Sequence, residues 1–169
     1  WVKADEGMYE EALFYFREAR RQGEYTAEEA RIMGACEEKL GDTLKANLHY
    51  RDALQLAEDD QDSTIVLNYI GKALLKRKQP EAAIRIFQQA LYINYPELRT
   101  DHPEDNPETF DHPDFWTVEL LSGKARAFHY LYQTNRSPES LHFAYAAASG
   151  AARALDVFQG EMSDDSGRD

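Results

Sequence analysis

Apolar side chains recur along this chain at three- and four-residue spacing, the period of an α-helix with one buried face. Leu13, Phe16 and Ala19 follow this spacing, and so do Leu67 and Ile70. Stripes of this kind are typical of helix faces that pack in a core. The pattern predicts an all-α fold, with helices at residues 8–22, 27–40, 43–58, 64–78, 80–94, 114–133 and 138–160.

Three residues mark predicted helix starts. Asp42 and Ser63 are predicted N-caps, because a side-chain oxygen there can accept a hydrogen bond from a free backbone N–H of the first turn. Pro80 suits the first turn of a helix, where its missing N–H is not needed.

A unit of 34 residues repeats in the first half of the chain. Its matched positions are the pairs Ala12 and Ala46, Phe16 and Tyr50, and Ala19 and Ala53. A third copy aligns Ala83, Phe87 and Ala90 with the second copy at a spacing of 37 residues. The three extra residues fall in the polar segment 58–63, which predicts a longer loop there.

Glycine recurs in the first helix of each unit. Gly34 and Gly71 each stand twelve residues before the matched alanine, and Gly123 lies in a similar segment, residues 120–127. A glycine inside a helix costs about 1 kcal/mol relative to alanine, so its recurrence needs a structural reason. We expect the glycine to let the neighbouring helix approach closely, with the aromatic residue of each copy filling the space between hairpins.

The 34-residue period, with glycine, alanine, aromatic and alanine in these registers, resembles the tetratricopeptide repeat over residues 7–95. The chain departs from the family pattern at its usual tryptophan, replaced by Ala30 and Leu67, and at its usual repeat-ending proline, replaced by Glu24 and Glu58. The resemblance implies a right-handed solenoid of antiparallel helical hairpins and a protein- or peptide-binding scaffold, not an enzyme. It also implies that the chain starts inside a truncated repeat.

The second half departs from the period. Residues 96–113 contain four prolines, which exclude a continuous helix. A loop of this length is either mobile or functional, so a mobile insertion and a partner-contacting loop both remain open. A longer terminal hairpin is predicted at residues 114–160, followed by a disordered polar tail at residues 161–169.

Part of the terminal hairpin suggests a second family. Residues 120–127, residues 131–134 and Leu155 resemble the last hairpin before the catalytic region in bacterial caspase-like proteins of the CHAT class. In that family a tetratricopeptide array precedes a Cys-His peptidase-like domain. The resemblance implies an alternative function, the regulatory or sensor array of a CHAT-type peptidase whose catalytic domain is absent from this chain.

Charge and composition exclude several classes of function. The chain has 31 acidic and 19 basic residues and a net charge of −12, which disfavours nucleic-acid binding. No apolar run approaches the roughly 18 residues that span a membrane. The single cysteine forms no internal disulfide, so a cytoplasmic location is predicted, although a targeting signal would be missing from a fragment.

Few residues are candidates for catalysis or metal binding. Cys36 lies in a predicted packed helix, where cysteine usually acts as a small hydrophobic residue. The histidines include no HExxH pair. His102 and His112 lie in the acidic loop, where a solvated polar segment is preferred over a cation site. No catalytic residue, metal or cofactor is therefore predicted.

The first helices of such a stack line its concave face, which is the predicted binding surface. Among its predicted members, five basic residues oppose only Glu28 and Glu38. Such a groove suits an acidic peptide or a C-terminal carboxylate, and the alternative is a face that serves solubility alone. The predicted groove residues are Arg31, Lys39, Asn68, Lys72, Lys76 and Lys124, with Ala35, Ile65, Leu75, Thr117, Leu120, Ala127 and Phe128 beside them. The oligomeric state remains open.

Overall fold

The computed structural model describes residues 8–23, 25–98 and 101–165. Within these residues the chain is all-helical, without strands, which confirms the all-α part of the predicted fold class. The helices are α1 (Tyr9–Arg21), α2 (Ala27–Leu40), α3 (Thr43–Leu56), α4 (Asp60–Lys76), α5 (Pro80–Asn94), α6 (Phe115–Asn135) and α7 (Pro138–Asp165). No helix in the described part of the chain combines the length and apolar character needed to cross a membrane.

The chain forms two compact units, Trp1–Tyr69 and Ile70–Asp169, and the division falls inside α4. In the first unit α2 packs against both α1 and α3. In the second unit α6 packs against both α5 and α7. Each unit therefore has a central helix with a neighbour on either side.

Two of the three predicted helix starts are confirmed. The Asp42 carboxylate accepts a hydrogen bond from the Lys45 N–H at 3.1 Å, as an N-cap should. Pro80 occupies the first turn of α5. The prediction for Ser63 was wrong, because α4 already begins at Asp60 and the Asp59 carboxylate accepts from the Asp62 N–H at 2.8 Å. The extra residues of the third repeat thus lengthen α4 in part and do not form a six-residue loop.

The recurring glycines do allow close helix approach, as predicted. A Cβ atom at Gly34 would lie 2.7 Å from the Tyr50 ring. A Cβ atom at Gly71 or at Gly123 would lie 2.5 Å from the ring of Phe87, which is 0 % exposed. The Phe87 ring is therefore wedged between α4 and α6, where only glycine fits.

The described part of the Pro-rich segment between α5 and α6 packs against its neighbours. Its Pro107 is fully buried. The Phe110 ring meets Tyr95 edge-on at a centroid distance of 6.0 Å, and the Arg153 guanidinium lies 5.5 Å from the Phe110 centroid. Arg153 also donates a hydrogen bond to the Glu108 carbonyl at 3.1 Å. Contacts to Tyr95, directly after α5, and to Arg153 of α7 thus hold residues 107–110 of a segment that the sequence presents as a polar loop.

The predicted tail is also partly helical. Residues 161–165, which the sequence analysis assigns to a disordered tail, continue α7 in the structure. Residues 166–169 lie outside the described part of the chain, as do residues 1–7.

Candidate functional site

Three of the six predicted groove residues are buried. Asn68 and Lys124 are 0 % exposed, and Arg31 is only 8 % exposed. The Asn68 amide has no hydrogen-bond partner among the described residues. These three residues were assigned to the groove from their positions in the repeat. A position in the repeat does not show whether a side chain of the first helix faces solvent or is covered by a neighbouring element.

The Lys124 side chain is enclosed by neighbouring elements and is not exposed to solvent. Its Nζ donates hydrogen bonds to Gln88 Oε1 at 2.5 Å and to the Asp105 carbonyl. Burial lowers the pKa of Lys124 from 10.5 to about 7, partly opposed by the carboxylates of Asp105 and Glu104. The side chain therefore ties α6 to α5 and to the Pro-rich segment, and it is unable to reach a ligand in solvent.

Two other predicted residues lie together in the second unit. Lys72 and Lys76 line a cleft of about 440 Å³, which we call the basic cleft. Lys72 forms an ion pair with Glu119. The cleft is lined by Lys72, Leu75, Lys76, Arg126 and Tyr130. Arg126 and Tyr130 were not predicted from the sequence, although their four-residue spacing places them on one face of α6.

A larger cleft of about 750 Å³ lies in the first unit, between α1 and α2. Apolar and aromatic side chains dominate its lining, and charged residues stand beside them, so we call it the apolar cleft. Its lining residues are Tyr9, Ala12, Tyr15, Phe16, Glu28, Glu29, Arg31, Ile32, Ala35, Cys36, Lys39 and Tyr69.

The α2 side of the apolar cleft was predicted, and the α1 side was not. Arg31, Ala35 and Lys39 were assigned to the groove from the repeat register, as was Glu28. Phe16 was interpreted as core, by analogy with its matched aromatic residues in the next two copies. In the structure Phe16 packs against the core cluster of Leu13, Met33 and Cys36, but it is only partly buried and no described glycine lies against it.

The charges at the apolar cleft are arranged along α2. Glu28 and Glu29 stand in the first turn of the helix, and Lys39 in its last turn. Arg31 lies 3.7 Å from Glu28 and stacks over the Tyr69 ring at 4.3 Å. The cleft therefore has a negative end and a positive end.

Cys36 lines the apolar cleft but is mostly buried in the core beneath it. It packs with Leu13 and Met33, and burial raises the pKa of its thiol. A raised pKa leaves little thiolate at neutral pH, and the thiolate is the reactive form. This environment agrees with the packing role predicted for Cys36.

The loop histidines have separate carboxylate neighbours. His102 Nδ1 lies 3.3 Å from Glu104 Oε1, and His112 Nδ1 lies 2.7 Å from Glu161 Oε1. Across the residues that the structure describes, no group of three or more His, Cys, Asp or Glu side chains is arranged to hold a metal ion.

Comparison with protein-family models, with curated proteins and with solved structures gives no match to this chain. The tetratricopeptide and CHAT resemblances therefore stay predictions from the sequence.

Proposed function

We propose that this chain is a protein- or peptide-binding scaffold with the architecture of a tetratricopeptide-type, right-handed solenoid, and that the apolar cleft is its main binding surface. The observation that carries the proposal is the aromatic lining of that cleft. Binding sites are typically concave and mostly apolar, with a few polar groups that fix orientation. Partly exposed aromatic residues such as Tyr9 and Phe16 are the anchors that protein interfaces favour.

The length of the apolar cleft suits a polypeptide segment. Its α2 wall runs from Glu28 to Lys39. Eleven residues of helical rise correspond to about 16 Å, the length of three turns of a bound helix or about five residues of extended chain. A partner would thus lie along the helix pair and meet opposite charges at its two ends.

The basic cleft supports a second part of the proposal, the binding of an acidic segment or a C-terminal carboxylate. Lys72, Lys76 and Arg126 are grouped there in a protein of net charge −12. Cations grouped beside a tyrosine and a leucine fit a carboxylate-bearing peptide with one apolar side chain. The alternative of a regulatory array in a CHAT-type peptidase rests on the sequence resemblance alone.

Ala35→Glu is expected to weaken peptide binding to the first unit by at least about tenfold, because the new carboxylate would be desolvated in the apolar cleft. The full chain would be screened by fluorescence polarisation against a library of helical and extended peptides. Leu44→Glu is the matched control, since Leu44 is 79 % exposed on α3, outside the cleft. If both variants lose the same affinity, or if neither loses any, the apolar cleft is not the binding surface.

Lys72→Glu/Lys76→Glu is expected to lower the affinity for acidic peptides by at least about tenfold at low salt, because it reverses two of the three cations of the basic cleft. Binding by the unmodified chain should weaken as salt is added. The control is Lys78→Glu/Arg85→Glu, which makes the same charge change at two exposed positions outside this cleft. If the control loses as much affinity, net charge and not the cleft governs binding.

A further inference from the structure

We infer that the apolar cleft accepts an amphipathic α-helix of a partner protein, and that this helix presents a glycine or an alanine to Phe16. The inference rests on the proposed function of the apolar cleft and specifies the class of partner. It is carried by the unequal burial of matched positions in the three repeat copies.

Matched alanines show that α1 is covered less completely than its counterparts. In the second and third copies these alanines are 0 % exposed, whereas Ala12 and Ala19 in the first copy are only partly buried. The fully buried members are Ala46, Ala53, Ala83 and Ala90. Small side chains at these positions serve helix contact in α3 and α5, whereas in α1 the matched Ala12 lines the apolar cleft.

The matched aromatic residues show the same difference. Tyr50 is 4 % exposed and Phe87 is 0 % exposed, while Phe16 is partly exposed in the cleft wall. Tyr50 packs against Gly34 of α2, and Phe87 packs against a glycine in each of two helices. Phe16 packs on one side against the core cluster of Leu13, Met33 and Cys36, and its remaining exposed side lines the cleft.

The geometry of the α2–α3 pair specifies what would fit against Phe16. A Cβ atom at Gly34 would lie only 2.7 Å from the Tyr50 ring, so a larger side chain would force the two helices apart. A helix that packs on Phe16 in the same manner must present a small residue to the ring. Its neighbouring apolar side chains would then reach Tyr9 and Ile32 in the cleft.

The charges of the cleft favour one direction for that helix. Glu28 and Glu29 would face the positive end of a helix dipole, and Lys39 would face its negative end, if the partner ran parallel to α2. A parallel orientation therefore places both helix termini beside charges of opposite sign.

The test uses a stapled helical peptide with the sequence of residues 26–40 of this chain, because that helix already presents Gly34 to an aromatic ring in the fold. The matched probe carries Gly34→Leu. We expect the glycine peptide to bind the full chain at least about tenfold more tightly than the leucine peptide in fluorescence polarisation. In the Phe16→Ala chain the preference should shrink or reverse, because the removed ring leaves space for leucine, whereas Phe14→Ala, at a position 57 % exposed, should leave it unchanged.

Circular dichroism would verify that Phe16→Ala is folded, and Phe16→Leu replaces it if the alanine variant is not. Equal binding of the two peptides, with the loss caused by Ala35→Glu retained, would overturn the inference and leave the proposed function standing. Tighter binding of extended peptides than of helical peptides in the cleft would also overturn the inference and leave the proposed function standing. Failure of every helical and extended peptide to bind would contradict both proposals.

Light scattering tests a second copy of this chain as the occupant. A dimer that Ala35→Glu dissociates would identify a second copy, not a partner helix, as the occupant.

Discussion

Replacement of Phe87 by alanine is expected to lower the free energy of unfolding of the second unit by about 3–5 kcal/mol. The ring is fully buried and lies against Gly71 and Gly123, neither of which has a side chain that could move into the vacated space. The substitution should therefore leave a cavity, and the cost of a cavity adds to the loss of buried apolar area. Phe87→Leu should cost less, because it leaves a smaller cavity.

Urea unfolding followed by circular dichroism would measure the loss. Phe115→Ala is the matched control, because Phe115 lies in the same unit and is 53 % exposed, and it should change stability by no more than about 0.5 kcal/mol. A loss for Phe87→Ala as small as that of the control would mean that the two glycine helices close onto the vacated site.

The second unit is expected to become more stable by about 2 kcal/mol between pH 7 and pH 9, owing to Lys124. The pKa of this lysine is about 7 in the fold and near 10.5 in the unfolded chain. Between these values the unfolded state binds more protons, so the free energy of unfolding rises with pH. Below pH 7 both states are protonated, and the penalty for burying the cation is fully present. Above about pH 10 the gain is opposed, because burial raises the pKa of Tyr95 and unfolding then allows that phenol to ionise.

Lys124→Met isolates this contribution, because it removes the titrating amine and keeps most of the side-chain volume. The variant should lose the rise of stability between pH 7 and pH 9 in urea unfolding. Its stability at a single pH is a poor guide, because Gln88 Oε1 and the Asp105 carbonyl also lose a donor. An unchanged pH profile would show that Lys124 is solvated and titrates as it does in the unfolded chain.

Local patterns account for what the sequence predicted well. The helix positions follow from apolar periodicity, and caps such as Asp42 depend on neighbours only three residues away. The close contacts at Gly34 and Gly71 were also predictable, since a helical glycine without a reason is unfavourable and the repeat supplies the aromatic partner. These features need no knowledge of how distant segments meet.

Long-range contacts account for what the sequence did not show. Lys124 has the sequence signature of an exposed lysine, and only its bonds to Gln88 and Asp105 reveal that it is enclosed. The Pro-rich segment reads as polar, yet Pro107 is buried. Only one side of the apolar cleft was predicted, for the same reason. The repeat register assigned Ala35 on α2 to the groove, but it predicted that Phe16 would be as buried as its matched residues in the other copies.

The position of Phe87 also bears on how this sequence can evolve. A larger side chain at Gly71 or Gly123 is excluded while the ring remains, and a smaller one at position 87 leaves a cavity that either glycine position could fill. Substitutions at the three positions should therefore be accepted together more readily than singly. Homologous sequences that lose the aromatic residue should accordingly carry alanine or a larger residue at one or both glycine positions, which would make the three positions covary across the family.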